Sequence, residues 1–263
     1  MLCHCVTQAN QARYASQLED MFKVRHSVFV DRMGWHELRR ADDRDIDEYD
    51  TDDSVYLLVL DDDGVLAAST RMNPSWRRHQ LEEGSELNKR FAMTQPPRGP
   101  TIWEGSRLVP GLRHVHGKDY AQAAFGVLMA GLQEFCTMRG ITTCIGILET
   151  RAHAIMASTG LEIQPLGLPV SYDTDNGRGE GSAMSFQTGV RYLIRARQAF
   201  GIRGPVLFEA PPVVDDADTF NIPLVARAAA LRSAEAQAHA MRALSTIRDS
   251  ELQDVEQPRR LAS

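Results

Sequence analysis

The chain has 263 residues, 43% of them apolar and 24% charged, with a formal net charge of −6. That balance supplies a packed core, excludes global disorder and argues against nucleic acid as a partner. No stretch reaches the ~18 apolar residues of a membrane span, residues 1–10 lack the basic flank and apolar run of a signal peptide, and four scattered cysteines make no disulfide framework, so a soluble, cytoplasmic protein is expected.

Residues 3–7 read as a strand. Its Cys3 and Cys5 suit a buried pair on an edge strand better than a metal site, because no second ligand pair follows at finger spacing. Residues 9–33 carry helical spacing, with Tyr14, Leu18, Met21, Phe22, Arg25 and Phe29 on one face. Residues 54–60 and 65–72 are strands joined by Asp61-Asp62-Asp63-Gly64, a hairpin by its turn chemistry. A polar, punctuated stretch holds one short helix near residues 87–91, and residues 101–109 read as a central strand stopped by Pro110-Gly111. Residues 118–139 form the strongest helix, closed by Gly140. The nearly all-apolar strand 141–148 implies cover on both faces. A helix at 150–159, then strands at 161–172 and 183–187 joined by a Gly-rich loop at 173–181, complete the pattern.

That order predicts an α/β fold, an N-acetyltransferase-like three-layer sandwich with a mixed central sheet, over residues 1–189. Residues 190–263 change character. Arg191, Arg195, Arg197 and Arg203 form a basic arm, prolines mark a linker, and an Ala-rich helical or mobile extension follows at 224–247. No chemistry is expected there.

Arg25 breaks a local rule, because it lies on the stripe that should face the core. An inward guanidinium needs an anionic partner, or it must thread its head to water. The acidic run Asp45-Ile46-Asp47-Glu48-Tyr49-Asp50 offers such partners. As a solvated loop it means little; packed around Ile46 and Tyr49 it would make a strongly negative wall favouring cations, with the Trp35 indole adding cation–π attraction. It lacks the Gly at position six and the Glu at position twelve of an EF-hand, so no metal is expected. In Trp103-Glu104-Gly105-Ser106-Arg107, strand alternation puts Trp103, Gly105 and Arg107 on one face and Glu104 and Ser106 on the other. Buried Glu and Arg there are either functional or members of an ion pair with Arg71 or Arg25.

Arg25, Phe29, Trp35, Asp47, Asp50, Arg71, Glu104 and Arg107, in this order and spacing, with Ser106 and Phe91 beside them, resemble the signature of the acyl-homoserine-lactone synthases, the LuxI-type autoinducer makers of bacterial quorum sensing. The likeness covers residues 1–189 and departs at Asp45, where the family usually has Glu. It implies a substrate, S-adenosylmethionine, and no cofactor. Its α-amine attacks an acyl thioester, and its carboxylate displaces methylthioadenosine to close the lactone. Under that likeness Glu104 is the base that takes the amine proton, Asp47 and Asp50, supported by Asp45, hold the ammonium and sulfonium end, and Arg25, Arg71 or Arg107 pairs with the carboxylate. Phe29, Trp35 and Phe91 would form the apolar wall.

The donor is expected on acyl carrier protein or as acyl-CoA. Residues 109–118 lack the Gly-rich pyrophosphate turn of coenzyme-A acetyltransferases, which favours the carrier protein, and Arg139, Arg151, Arg191 and Arg195 would form its basic docking patch. Strand 141–148, with Leu128, Leu132 and Met156, would line the acyl tunnel; because family members that choose 3-oxo chains often place a Thr near Gly146, the resemblance implies that this glycine leaves the acyl 3-position without a hydroxyl partner and points to an unsubstituted or bulky acyl group. A generic N-acyltransferase of the same fold explains the strands and Glu104 but not the clustered acids and arginines. A non-catalytic binding domain would use the acidic run for docking.

Overall fold

The computed structural model describes residues 1–109 and 117–213. Its strands are β1 (Leu2–Val6), β2 (Val55–Leu60), β3 (Leu66–Pro74), β4 (Ile102–Val109), β5 (Thr143–Glu149), β6 (Ile163–Pro165), β7 (Val170–Thr174), β8 (Gly177–Gln187) and β9 (Leu207–Phe208). They form one mixed sheet in the order β6-β8-β5-β4-β3-β2-β1-β9, with β7 paired to β8. The helices are α1 (Ala15–Arg25), α2 (Glu86–Phe91), α3 (Lys118–Met138), α4 (His153–Ser158) and α5 (Val190–Phe200). This is the expected N-acetyltransferase-like sandwich.

Strand periodicity assigns the faces. Leu57, Val59, Met72 and Cys144 point toward α3, where Leu128, Met129 and Phe135 complete the larger core. Tyr56, Leu58 and Leu60 point the other way, under Tyr14 and Met21. The parallel β4–β5 ladder pairs only Ile102 with Thr143, Trp103 with Cys144 and Glu104 with Ile145, although both strands continue. At Gly146 a Cβ would stand 2.6 Å from the Gly105 carbonyl oxygen, so close backbone approach excludes a side chain there.

Several expected boundaries shift. The first helix is not one regular element: a 3₁₀ turn (Gln11–Tyr14) precedes α1, and after Arg25 the chain widens into π-helical turns over His26–Arg32. Strand 161–172 is two short strands, β6 and β7, interrupted near Gly167. The Gly-rich segment 173–181 is a tight β7–β8 hairpin rather than a loop, Thr174 pairing with Gly177. Its glycines are strand residues, and Gly179 makes room for the Tyr172 ring.

The compact unit extends to Val213, beyond the boundary expected at 189. The reason is Glu134 of α3, fully buried, whose carboxylate accepts hydrogen bonds from Arg197 of α5 (2.6 Å) and from the Val206 and Leu207 N–H groups (3.0 and 2.8 Å). This ties α5 and β9 to the core, and β9 pairs with Cys3 and His4, so β1 is not the sheet edge. The Ala-rich extension expected at 224–247 lies outside the described residues. Among the described residues no helix is long and apolar enough to cross a membrane. Glu134→Ala leaves the largely covered Arg197 without its counter-charge and the Val206 and Leu207 N–H groups without their acceptor, and is expected to cost about 3–5 kcal/mol. Urea unfolding measures it, and a loss under ~1 kcal/mol would contradict the anchoring role.

Candidate active site

The site forms where one row of the sheet meets the end of α1. Tyr56 of β2 stands opposite Arg71 of β3, and Arg71 opposite Ser106 of β4, so the three side chains share a face. The acidic run folds over that row as a set of turns: the Asp47 carboxylate accepts from the Tyr49 N–H (2.9 Å) and Asp50 from the Asp47 N–H (2.9 Å). The Asp45 N–H donates to the Phe22 carbonyl (3.1 Å), fixing the run against α1.

There the charges close into an alternating ring. Arg25 meets Asp45 through Nε (3.1 Å) and Asp50 through both terminal nitrogens (2.8 and 2.9 Å). Asp50 meets Arg71 at 3.0 Å, and Arg71 meets Asp47 at 2.5 Å. Asp47 meets Arg107 at 2.8 Å, and Arg107 returns to Asp45 at 2.7 Å. Arg71 Nε also donates to Ser106 Oγ (3.0 Å), and the Tyr56 hydroxyl donates to Asp50 (3.0 Å). Arg25 is buried and so does not reach water, which removes the alternative of an arginine threaded to the surface.

The expected negative wall is corrected by this arrangement. Three carboxylates alternate with three guanidiniums, so the cluster is formally neutral and its field is local. Burial alone would raise the Asp50 carboxyl, but hydrogen bonds and charge from Arg25, then the Arg71 charge, hold it well below the carboxylate range. Asp45 is likewise lowered, the Arg107 and Arg25 charges outweighing burial. Around the ring the side chains of Arg25, Asp45, Asp50 and Arg71 are 0–3% exposed, whereas Arg107 keeps 7% and Asp47 14%. Among these six described side chains Asp47 and Arg107 are the most exposed, so the ring's open edge lies there.

Arg107 is also where strand alternation fails. A bulge between β3 and β4 pairs Ser69 with Val109 and Arg71 with Ser106, giving β4 one extra residue, and Arg107 absorbs it in the left-handed region (φ 51°). The side chain therefore joins Glu104 and Ser106 on the ring face, while Trp103 lies edge-on to Phe135 in the opposite core.

Glu104 is fully buried and makes neither of the ion pairs that alternation suggested. Its two oxygens accept the Gln80 and Leu81 N–H groups at 2.9 and 2.8 Å. Burial pushes its carboxyl up; those hydrogen bonds and the Arg71 charge oppose this, and it settles at about 7. A group so poised exchanges a proton near neutrality.

Beside the Asp47–Arg107 edge lies an aromatic wall. Arg107 sits over the Phe29 ring (5.4 Å), Phe29 stacks on Trp35 (5.4 Å, 16°), and Trp35 meets Tyr172 edge-on (6.1 Å). Tyr172 in turn meets Phe91 (6.1 Å), so Phe91 joins the wall indirectly, from a separate apolar cluster with Leu81 and Ile145. Sequence reasoning missed Tyr56, Tyr172 and the N–H groups at 80 and 81. Tyr56 carried a signal, an aromatic hydroxyl facing the same side as Arg71; the backbone donors carried none.

The arginines expected to form a carrier-docking patch are paired within the chain. Arg139 meets Glu209 (2.7 Å), Arg191 and Arg195 share Glu162 (3.1 and 2.7 Å), and Arg151 pairs with Glu149.

Comparison with known proteins points in one direction. The family described as Autoinducer synthase matches residues 9–176. The isovaleryl-homoserine lactone synthase of Bradyrhizobium diazoefficiens is 34% identical over 170 residues, 64% of this chain and 73% of that protein. An acyl-homoserine-lactone synthase of Rhizobium etli is 30% identical over 151 residues, 56% and 68% of the two chains. Among solved structures, the CoA-dependent acyl-homoserine lactone synthase BjaI with MTA superposes with a TM-score of 0.70 at 29% identity, covering 81% of this chain and 95% of that one. The same enzyme with SAM and isopentyl-CoA gives 0.69.

Arg25→Met strips a guanidinium from two buried carboxylates and is expected to cost about 3–5 kcal/mol. Arg107→Gly also removes a guanidinium but relieves roughly 1–3 kcal/mol of backbone strain, so its loss should be smaller by about that amount. Equal losses in urea unfolding would contradict the assignment of Arg25 to the buried side of the ring and Arg107 to its rim.

Proposed function

The chain belongs to the autoinducer synthase family and is an acyl-homoserine-lactone synthase, and from that premise we propose how its residues divide the reaction and which thioester it takes. The amine of S-adenosylmethionine attacks the thioester carbonyl, the C–S bond of the thioester breaks and the thiol leaves. The carboxylate then attacks the carbon beside the sulfonium, that C–S bond breaks, and methylthioadenosine departs as the lactone closes.

The observation that carries the assignment of roles is the alternating ring with a single exposed edge. Asp47 and Arg107 exchange their mutual contact for the substrate's ammonium and carboxylate, a matched pair of opposite charges already set at 2.8 Å. Arg25, Asp45, Asp50 and Arg71, with Ser106, hold that edge in place and fix the carboxylate's line of attack. Phe29, Trp35 and Phe91 wall the apolar part of the nucleoside. Glu104 takes the ammonium proton, directly or through a water. Its carboxyl, poised at about 7, is basic enough for a dry site and ionised often enough at neutral pH.

The donor we assign is acyl-CoA, with a short unsubstituted or branched chain. Support comes from the CoA dependence of BjaI and from the isovaleryl product of the Bradyrhizobium relative. The arginines expected to dock an acidic carrier protein, Arg139, Arg191 and Arg195, are each paired with a glutamate of this chain, which weakens that patch.

Incubation with S-adenosylmethionine and isovaleryl-CoA should yield a homoserine-lactone fragment by mass spectrometry. A far higher rate with acyl carrier protein than with any acyl-CoA would overturn the donor assignment. For the base, the ionised form of Glu104 is the active one and its pKa is raised, so kcat/KM should climb as pH rises through about 7. Glu104→Gln should lower kcat by about 10²–10⁴-fold and erase that limb. A folded Glu104→Gln enzyme keeping the wild-type pH profile would remove Glu104 from the proton transfer.

A further inference from the structure

We propose that the β7–β8 hairpin clasps the nucleoside wall and that its Tyr172 is a positioning residue for Trp35; this rests on reading Trp35 as part of the S-adenosylmethionine pocket. The hairpin tip is bound to the turn that carries Trp35 at several points. Asn176 Nδ2 donates to the carbonyls of Asp31 and Arg32 (2.8 and 3.1 Å), satisfying acceptors that the end of the π-helical segment leaves open. The Asp175 N–H donates to the Gly34 carbonyl (3.2 Å), and the Asp175 carboxylate pairs with His36. Gly34 has φ 74°, and a Cβ there would stand 2.7 Å from the Asn176 nitrogen, so the approach of the two segments itself demands glycine.

Behind the tip, Tyr172 is set from three directions. It pairs across the hairpin with Gly179, and a Cβ on Gly179 would lie 2.5 Å from the tyrosine ring, so the ring occupies the space that residue lacks. Its hydroxyl donates to Glu149 at the end of β5 (2.8 Å). Its ring meets Trp35 and Phe91 edge-on, each at 6.1 Å, and Arg90 lies 5.4 Å from its centroid. Trp35 is held from the other side by Phe29, whose ring it stacks on and whose carbonyl accepts the Trp35 backbone N–H at 3.0 Å. Phe29 and Tyr172 therefore bracket the indole, and the Tyr172 hydroxyl links that bracket to β5.

The test compares Tyr172→Phe, Tyr172→Ala, Gly179→Ala and Trp35→Ala for KM toward S-adenosylmethionine, KM toward isovaleryl-CoA, kcat, calorimetric Kd for methylthioadenosine, and thermal midpoint. Tyr172→Ala and Gly179→Ala, which remove or displace the ring, should raise KM for S-adenosylmethionine and Kd for methylthioadenosine about tenfold, with KM for the thioester within about twofold. Tyr172→Phe keeps the ring and should restore most of that loss. If Trp35→Ala weakens nucleoside binding while Tyr172→Ala and Gly179→Ala do not, the clasp is overturned and the pocket stands. A parallel rise in both KM values that tracks a lowered thermal midpoint, unrescued by phenylalanine, also overturns it. If Trp35→Ala itself leaves both nucleoside constants unchanged, the pocket reading fails and takes this proposal with it.

Discussion

A guanidinium cannot be buried alone, and three of them are buried here. Each of Arg25, Arg71 and Arg107 is shared between two carboxylates, and each of Asp45, Asp47 and Asp50 between two guanidiniums. Removing one partner of such a pair costs several kcal/mol, because the remaining charge has no water to turn to. The ring therefore couples elements distant in sequence: the core stripe of α1, the acidic run after it, the second strand of the hairpin and the central strand β4. Local irregularities follow from it. Arg107 accepts a left-handed backbone, and β4 an extra residue, so that a third guanidinium can reach Asp45 and Asp47.

Much of this was legible in the sequence, for identifiable reasons. The Asp61–Gly64 turn between two β-branched runs fixed the first hairpin, and the apolar strand before Glu149 announced a central position. Arg25 on a core stripe pointed to buried acids, and the acids were found where the nearby run placed them. What alternation could not reveal was the bulge, which depends on the pairing partner and turns Arg107 onto the face of Ser106. Composition likewise read 173–181 as a loop, because glycine ordinarily weakens a strand; Gly179 is there to admit the Tyr172 ring, a requirement visible only across the hairpin. The expected boundary at 189 failed for a similar reason. Glu134 sits within an apolar helix, and nothing local in the sequence shows that it gathers Arg197 and the backbone of residues 206 and 207.

The geometry also divides labour between net charge and local charge. A neutral ring does not attract a cation from a distance; under the proposed division of roles it discriminates at contact, one carboxylate and one guanidinium at a fixed spacing meeting a ligand with an ammonium and a carboxylate on the same carbon. Glu104 stands outside the ring and carries a different constraint. Its desolvation raises its proton affinity, and the Gln80 and Leu81 N–H groups keep it from becoming a permanently neutral acid. The aromatic wall beyond the rim is the surface proposed for the nucleoside.

The central claim is that the Asp47–Arg107 edge, and not the nucleoside wall alone, recognises the amino-acid end of the substrate. Calorimetric affinities for S-adenosylmethionine and methylthioadenosine test it directly in wild type and in Arg107→Gly. The account predicts that wild type prefers S-adenosylmethionine by about 10–100-fold, and that Arg107→Gly brings the two affinities close together while methylthioadenosine binding holds. An unchanged preference in the folded variant would contradict it.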